Sequence, residues 1–354
     1  MTSVGMEQGT AAANVADRLR PVRIWLYCIA LMVMATLVVG GFTRMSGSGL
    51  SIATWQPISG VIPPLNEAAW QAEFDNYKKI PQYLVDNPNM TMAGFQAIFW
   101  PEWAHRLLDR LIGLAFALPF LVFLIQRRLS RKLIGPLALL FCAGGLEGVI
   151  GWWMVSSGLE TLTSVSQYRL AVHLCTALLL FLAMIWVART LEPKAVDPAA
   201  AGTKRWPIAL LLVLIVAQIA MGAFVAGLHA GMGYNTWPLM DGSLVPAGLA
   251  VMTPLWRNLF ENAETVQFIH RSIAYIIVTY LVFLLWRQAR AGGLNGVNGW
   301  LPRLALLVLL QVALGITTLL TFVPLPLALG HQALAFMLAG ATIAYLADLT
   351  RLRR

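Results

Sequence analysis

Eight runs of about twenty apolar residues, parted by short polar segments, leave this chain few ways to fold. A helix of that length matches the hydrocarbon thickness of a bilayer. In lipid only helices and closed barrels satisfy every backbone polar group. The runs cover residues 21–42, 101–125, 133–154, 169–189, 206–227, 266–286, 301–322 and 327–348. Of 354 residues, 58% are hydrophobic and 12% charged, against about 25% charged in soluble domains. The expected class is an all-α integral membrane protein with eight transmembrane helices.

The net charge of +9 invites a nucleic-acid reading, which its distribution rejects. Arg18, Arg20 and Arg23 precede the first run, and Arg127, Arg128, Arg131 and Lys132 follow the second. Arg189, Lys194, Lys204 and Arg205 follow the fourth, Arg287, Arg290 and Arg303 the sixth, and Arg351, Arg353 and Arg354 close the chain. These are 17 of the 25 basic residues, and alternate loops share one side of the membrane. Basic loops stay inside, so both termini are expected in the cytoplasm and the basicity reports topology, with no nucleic-acid partner. The N-terminal flank holds Glu7 and Asp17, unlike an acid-poor transit peptide, which points to a bacterial inner membrane. The first run has no small-residue cleavage site before Arg44 and is read as a mature helix. Cys28, Cys142 and Cys175 all lie within runs and are read as small packing residues, with no outer-loop disulfide expected.

The second four runs echo the first four. GGFTRMSGSGLSIATWQPISG after the first aligns with GAFVAGLHAGMGYNTWPLMDG after the fifth. Phe42, Thr54, Trp55 and Gly60 fall on Phe224, Thr236, Trp237 and Gly242 at one constant offset. EWAHR in the second run matches QFIHR in the sixth, and LEGVIG in the third matches LQVALG in the seventh. Four spans per half give both halves one orientation, a parallel repeat about the membrane normal. The expected organisation is two pseudo-symmetric four-helix bundles. A cytoplasmic flank (1–20) leads into the N-terminal bundle (21–190) with its long outer loop (43–100). A cytoplasmic linker (191–205) then joins the C-terminal bundle (206–350).

Four of the five histidines lie inside these runs as two matched pairs, His105 with His173 and His270 with His331. An ionisable side chain in hydrocarbon is costly and marks a functional site. Each stands about five residues into a run that enters from the outer face, which at ~1.5 Å per residue is roughly 6–8 Å deep. Paired imidazoles on facing helices hold haem iron, so each bundle is expected to clamp one porphyrin. Zinc usually takes three or four clustered ligands, and a lone polar residue could simply hydrogen-bond between helices. Four paired, level histidines favour haem.

The halves differ at one informative place. Glu102 stands three residues before His105, on the same helix face, and its counterpart is Gln267. One site thus carries an acid suited to proton or oxidation chemistry, while the other carries electrons; an acid stabilised at a helix N-terminus is the alternative. Glu147 faces Gln311 across the repeat and either hydrogen-bonds a neighbouring helix or tunes the first site. Arg106, Arg271 and Arg44 break the charge bias at the outer ends of their runs, where a haem's propionates would find guanidinium partners; Arg169 shares that position with a weaker claim. His229 lacks a partner in the repeat and is read as a loop residue. The outer loop is expected to form short helices over the site, from NEAAWQAEFDNYKKIPQY and MAGFQAIFW.

The segments GGFTRMSGSGLSIATWQPISGVIPPLNEAAWQAEFDNYKKIPQY, IFWPEWAHRLLDRLIGL, GWWMVSSGL and YNTWPLMDG resemble the haem A synthase family, in its proteobacterial and mitochondrial branch. The likeness runs from about residue 21 to 348. It implies an oxidoreductase acting on a CH group, converting a ring methyl of haem O to a formyl group to give haem A for haem–copper terminal oxidases. It implies haem O bracketed by His105 and His173 with Glu102 as the essential acid, and haem b held as cofactor by His270 and His331. Haem O synthase and an electron donor are the implied partners, and a homo-oligomer is left open. The chain lacks the outer-loop cysteine pair of another branch, and carries Glu147 where glutamine is expected in relatives. Two rival readings share features with it: a di-haem quinol or electron-transfer cytochrome, and a transporter with repeated halves, which would show helices broken in mid-span.

Overall fold

The computed structural model describes residues 18–193 and 197–352 in full, together with the backbone of residues 3–17. Its helices are α1 (Ser3–Met45), α2 (Glu67–Tyr77), α3 (Pro81–Asp86), α4 (Met92–Ile125), α5 (Arg131–Glu160), α6 (Gln167–Thr190), α7 (Pro198–Gly202), α8 (Trp206–Gly227), α9 (Asn258–Glu261), α10 (Ala263–Arg290), α11 (Trp300–Leu320) and α12 (Leu325–Arg351). Among the described residues, eight are long and apolar enough to cross a membrane: α1, α4, α5, α6, α8, α10, α11 and α12. The chain is an all-helical, multi-pass membrane protein. Lys194, Arg353 and Arg354, three of the basic residues counted above, lie outside the described residues.

Contacts between the long helices close two rings. In the first, α1 packs on α4 and α6, and α5 packs on both α4 and α6. In the second, α8 packs on α10 and α12, and α11 on both α10 and α12. The rings meet where α6 and α12 pack on each other, with α8 against α6 and α1 against α12. This shared wall holds the main apolar core, including Leu26, Leu178, Leu211, Phe336 and Tyr345. Over half of the apolar window of α12 is enclosed, against 6% for α5, so α12 is central and α5 peripheral. Gly340 permits a close approach: a Cβ there would stand 3.0 Å from Phe181 Cε1 of α6.

A charge cluster pins the same wall at the arginine-rich end. Asp348 is 3% exposed. Its two oxygens accept from Arg189 Nε and Nη2 at 2.8 Å each, from Arg351 Nη2 at 2.9 Å and from Trp300 Nε1 at 3.0 Å. A buried carboxylate so surrounded keeps its charge, because each lone-pair direction has a donor.

Helix ends depart from the hydropathy boundaries where aromatic packing extends them. The second span starts at Met92, not at 101, because MAGFQAIFW continues the helix rather than forming a separate one. Thr91 caps it by accepting from Gly94 N at 3.2 Å. Phe95 and Phe99, one turn apart, bury against the lid formed by α2. Phe95 stacks on Phe74 with ring centroids 5.0 Å apart, and Phe99 meets Trp70 edge-on at 4.9 Å. Pro101 therefore sits inside the helix, where tertiary packing outweighs its missing N–H. The outer loop does form short helices, α2 and α3, with Asn66 capping α2 through Ala69 N at 2.9 Å.

Candidate functional site

All four span histidines lie at the lid end of the rings, half-buried. The longer second span makes His105 the fourteenth residue of α4, while His173 and His331 are seventh in α6 and α12, and His270 eighth in α10. Within the first ring, Glu102 and Asp109 of α4 lie within electrostatic reach of His173 on α6. In the second, His331 lies within reach of His270.

Each imidazole rests on a glycine of the neighbouring helix. A Cβ built on Gly40 (α1) would come within 2.8 Å of His105 Nε2. One on Gly151 (α5) would stand 3.1 Å from His173 Cε1, one on Gly222 (α8) 3.3 Å from His270 Cε1, and one on Gly315 (α11) 2.7 Å from His331 Cε1. At Gly40 and Gly315 any larger residue would push the ring away, and at Gly151 and Gly222 it would press on it more lightly, so glycine lets the imidazoles lie where they do. Gly40 falls on Gly222 at the same offset that relates Phe42 to Phe224. Gly151 falls on Gly315 when LEGVIG is laid on LQVALG, so the seats belong to the same repeat as the histidines. That register was the available sequence signal; in a chain with 29 glycines it stands out only once the helices are paired.

The polar neighbours differ between halves. Glu147 Oε1 lies 2.8 Å from His173 Nδ1, at ion-pair distance but off the line of the ring N–H, so neither atom completes a hydrogen bond. Thr176 Oγ1 donates to the other Glu147 oxygen. In the second ring, Gln218 Nε2 is 3.2 Å from His270 Nε2, and Gln311 Nε2 is 3.4 Å from His331 Nε2 and donates to the His331 carbonyl at 3.0 Å. Sequence reasoning missed Gln218, whose counterpart in the first half is the much shorter Thr36.

Two arginines tie the loops over the rings in the same way. Arg106 donates to the carbonyls of Thr54 (3.0 Å) and Ile52 (2.7 Å), and Arg271 to those of Thr236 (2.8 Å) and Tyr234 (2.6 Å). Arg44 donates to the Ala226 carbonyl, joining α1 to α8. The three arginines assigned to propionates thus hold backbone carbonyls in the structure, a role no residue pattern reveals because the acceptors are main chain. One turn before each loop-tying arginine the halves diverge. Glu102, 3% exposed, accepts from Arg106 Nε at 2.7 Å in an ion pair. Gln267, equally buried, accepts from Arg271 Nη2 at 3.0 Å and donates to the carbonyls of Ala230 (2.9 Å) and Gly233 (3.0 Å). Gln267 is a structural tie; a carboxylate has no N–H to make those bonds, so Glu102 holds a charge where its twin holds a loop. His229 is exposed, in a left-handed turn (φ 52°), and burial of its surroundings with Arg44 nearby lowers its pKa.

The donor set fits haem iron. Among the described residues no cluster of three or more His, Cys, Asp or Glu side chains stands ready for a metal ion, as a protein-only zinc site would need. An iron already held by four porphyrin nitrogens needs only two imidazoles, and each ring of helices carries two at one end.

Fold and site together define a polytopic helical membrane protein with two histidine pairs at one end of two packed rings, one pair accompanied by an acid. The family described as cytochrome oxidase assembly protein, COX15-CtaA, matches residues 23–343. The heme A synthase of Azorhizobium caulinodans is 51% identical over 344 residues, covering 96% of this chain and 98% of that protein. The heme A synthase of Rhizobium rhizogenes is 50% identical over 92% of this chain and 89% of its own, and that of Brucella anthropi 46% identical over 97% and 96%. The chain belongs to the COX15-CtaA family of cytochrome oxidase assembly proteins.

Proposed function

We propose that the chain is a haem A synthase: an oxidoreductase of a bacterial inner membrane, with both termini cytoplasmic, that oxidises a methyl group of haem O to the formyl group of haem A. The observation that carries this reading is the Glu102–Arg106 ion pair standing where the other half has the Gln267–Arg271 tie. Residues 21–190 and 206–350 are then two copies of one bundle, the first for substrate and the second for electrons. His105 and His173 hold haem O. The first ring also carries smaller side chains: Thr36, Gly144 and Gly148 stand where the second has Gln218, Val308 and Val312, and a Cβ on Gly144 or Gly148 would meet nothing within 4 Å. That space suits a haem with a bulky side arm.

His270 and His331 would ligate haem b, which when bound supplies one-electron transfer from the substrate site. With water as the oxygen source the oxidation is ring–CH3 + H2O → ring–CHO + 4 H+ + 4 e−: the electrons leave to an acceptor, and Glu102, held by Arg106, takes protons as they are released, the ordinary role of a positioned base. Gly40 and Gly151 fix the imidazoles and with them the ring's orientation, which positional catalysis demands. Arg106 and Arg271 each engage three of a guanidinium's five N–H donors in the structure; the remaining donors would be available to a propionate. Haem O synthase supplies the substrate, and an electron partner completes turnover. Replacing Glu102 with Gln should leave both haems bound while lowering haem A formation by about 10²–10⁴-fold, the range for a lost acid–base group. Normal haem A yield from that variant would remove the acid from the mechanism.

A further inference from the structure

The acid-bearing half contains a polar chamber. It is a cavity of about 330 Å³ between α4, α2 and the segment joining α1 to α2, with Glu73, Trp103, Arg106 and Arg110 in its wall. At ~30 Å³ per molecule that is room for roughly ten waters. Three of its polar atoms, Glu73 Oε2, Trp103 Nε1 and Arg110 Nη1, are buried without a hydrogen-bond partner in the protein. Such groups are expensive to bury dry. The chamber is held open rather than collapsed: Arg110 donates to the carbonyls of Pro57 (2.9 Å) and Gln56 (2.7 Å), spanning it from α4 to the loop.

In the second half, Phe268 and Tyr275 stand where Trp103 and Arg110 are when EWAHR is laid on QFIHR, and Trp237 Nε1 closes onto Tyr275 Oη at 3.1 Å. Two polar groups of the chamber wall, Trp103 and Arg110, thus accompany Glu102 and are replaced in the half that carries Gln267. Arg106 is common to both: its Nε holds Glu102, and the same side chain lines the cavity. Resting on the proposed haem oxidation, we propose that this chamber is a hydrated outlet for protons collected at Glu102, with Glu73 as the proton-accepting residue on its far side. A proton leaving Glu102 passes to chamber water beside Arg106, then to Glu73 Oε2, and from there to bulk water. Glu73 acts through water and Arg106, and is a positioning residue for proton flow rather than a group that touches substrate.

The charged groups facing Glu73 are Arg106 and Arg110, both on α4; the loop segment 52–66 contains no titratable side chain, and Glu67 and Asp75 are the acids of its own helix. Burial pushes the Glu73 carboxyl above the usual carboxylate range, with Arg106 opposing. A raised carboxyl can both accept and release protons closer to neutral pH than an exposed one.

The test uses the full-length holoprotein in membranes, supplied with haem O, across a pH series. Wild type must first produce haem A; if it does not, the proposed function fails and the outlet with it. If it does, Glu73→Gln should lower turnover about tenfold, short of the ~10²–10⁴-fold of a direct acid–base group. It should also erase the acidic limb of the pH profile and leave haem content and substrate KM unchanged. Glu73→Asp should restore the limb. Ala69→Leu, which fills the chamber one turn from Glu73 and leaves its carboxyl in place, should slow turnover alike and guards against misfolding of the first variant. An infrared carboxyl band that titrates in wild type should be missing from Glu73→Gln. An unaltered pH profile in both Glu73→Gln and Ala69→Leu, with wild type active, would overturn the outlet and leave the haem A synthase reading intact.

Discussion

Replacing Gly315 with Ala tests the glycine seats most severely. The added Cβ would stand 2.7 Å from His331 Cε1, against roughly 3.5–4.0 Å for an ordinary carbon contact. The ring must retreat by about 0.8 Å, several times the ~0.2 Å tolerance of a metal–ligand distance. Overpacking of this kind costs about 1–3 kcal/mol, which is roughly 5- to 150-fold in haem affinity. At Gly222 the matching contact is 3.3 Å, short of ordinary packing by only about 0.2 Å, so Gly222→Ala is the internal control. Glycine to alanine within a helix otherwise stabilises by about 0.5–1 kcal/mol, so a loss of haem cannot be put down to a weakened helix. The assay is haem per polypeptide in the purified protein, followed by the rate of haem loss to an excess of acceptor apoprotein. Gly315→Ala should lose haem b at least fivefold faster than wild type, and Gly222→Ala within about twofold of it. Equal retention by the two variants would refute the argument that these glycines place the imidazoles.

Other outcomes follow from the same geometry. His270→Ala should abolish the low-spin haem b spectrum while haem O still binds; an unchanged spectrum would mean the two sites are assigned the wrong way round. Asp348→Ala takes from Arg189 and Arg351 their shared buried partner and leaves them only Glu192, and should cost about 1–3 kcal/mol. A thermal-unfolding series followed by haem absorbance checks this, and an unshifted midpoint would show that the cluster does not hold α6 to α12.

The spans were legible because hydropathy at bilayer length is a property of sequence alone. Their ends were less so. Nothing in MAGFQAIFW marks it as the start of α4 rather than a separate helix, since what decides is the stacking of Phe95 on Phe74 and of Phe99 on Trp70 across a loop. The histidines stood out because a titratable ring in an apolar run needs a reason. Their glycine seats did not, because a glycine's meaning depends on which side chain a neighbouring helix brings over it. Glu102 and Gln267 were visible as a difference within the repeat, but the use of Gln267 as a tie to the carbonyls of Ala230 and Gly233 was not. For the same reason Arg106 and Arg271 suggested propionate partners in sequence, while the structure adds the main-chain acceptors they hold. Glu147 read as a mid-span acid with two open uses, and the packing of α5 on α6 sets it beside His173.

The most direct measurement extracts haem from protein purified from cells that make haem O, and identifies each species by mass. Wild type should yield protohaem together with farnesylated haem bearing the formyl oxidation, while a His105→Ala, His173→Ala double variant should retain protohaem and lose the farnesylated species. Wild-type protein carrying protohaem alone, or a double variant that loses protohaem instead, would contradict the assignment of substrate to the first ring and electrons to the second.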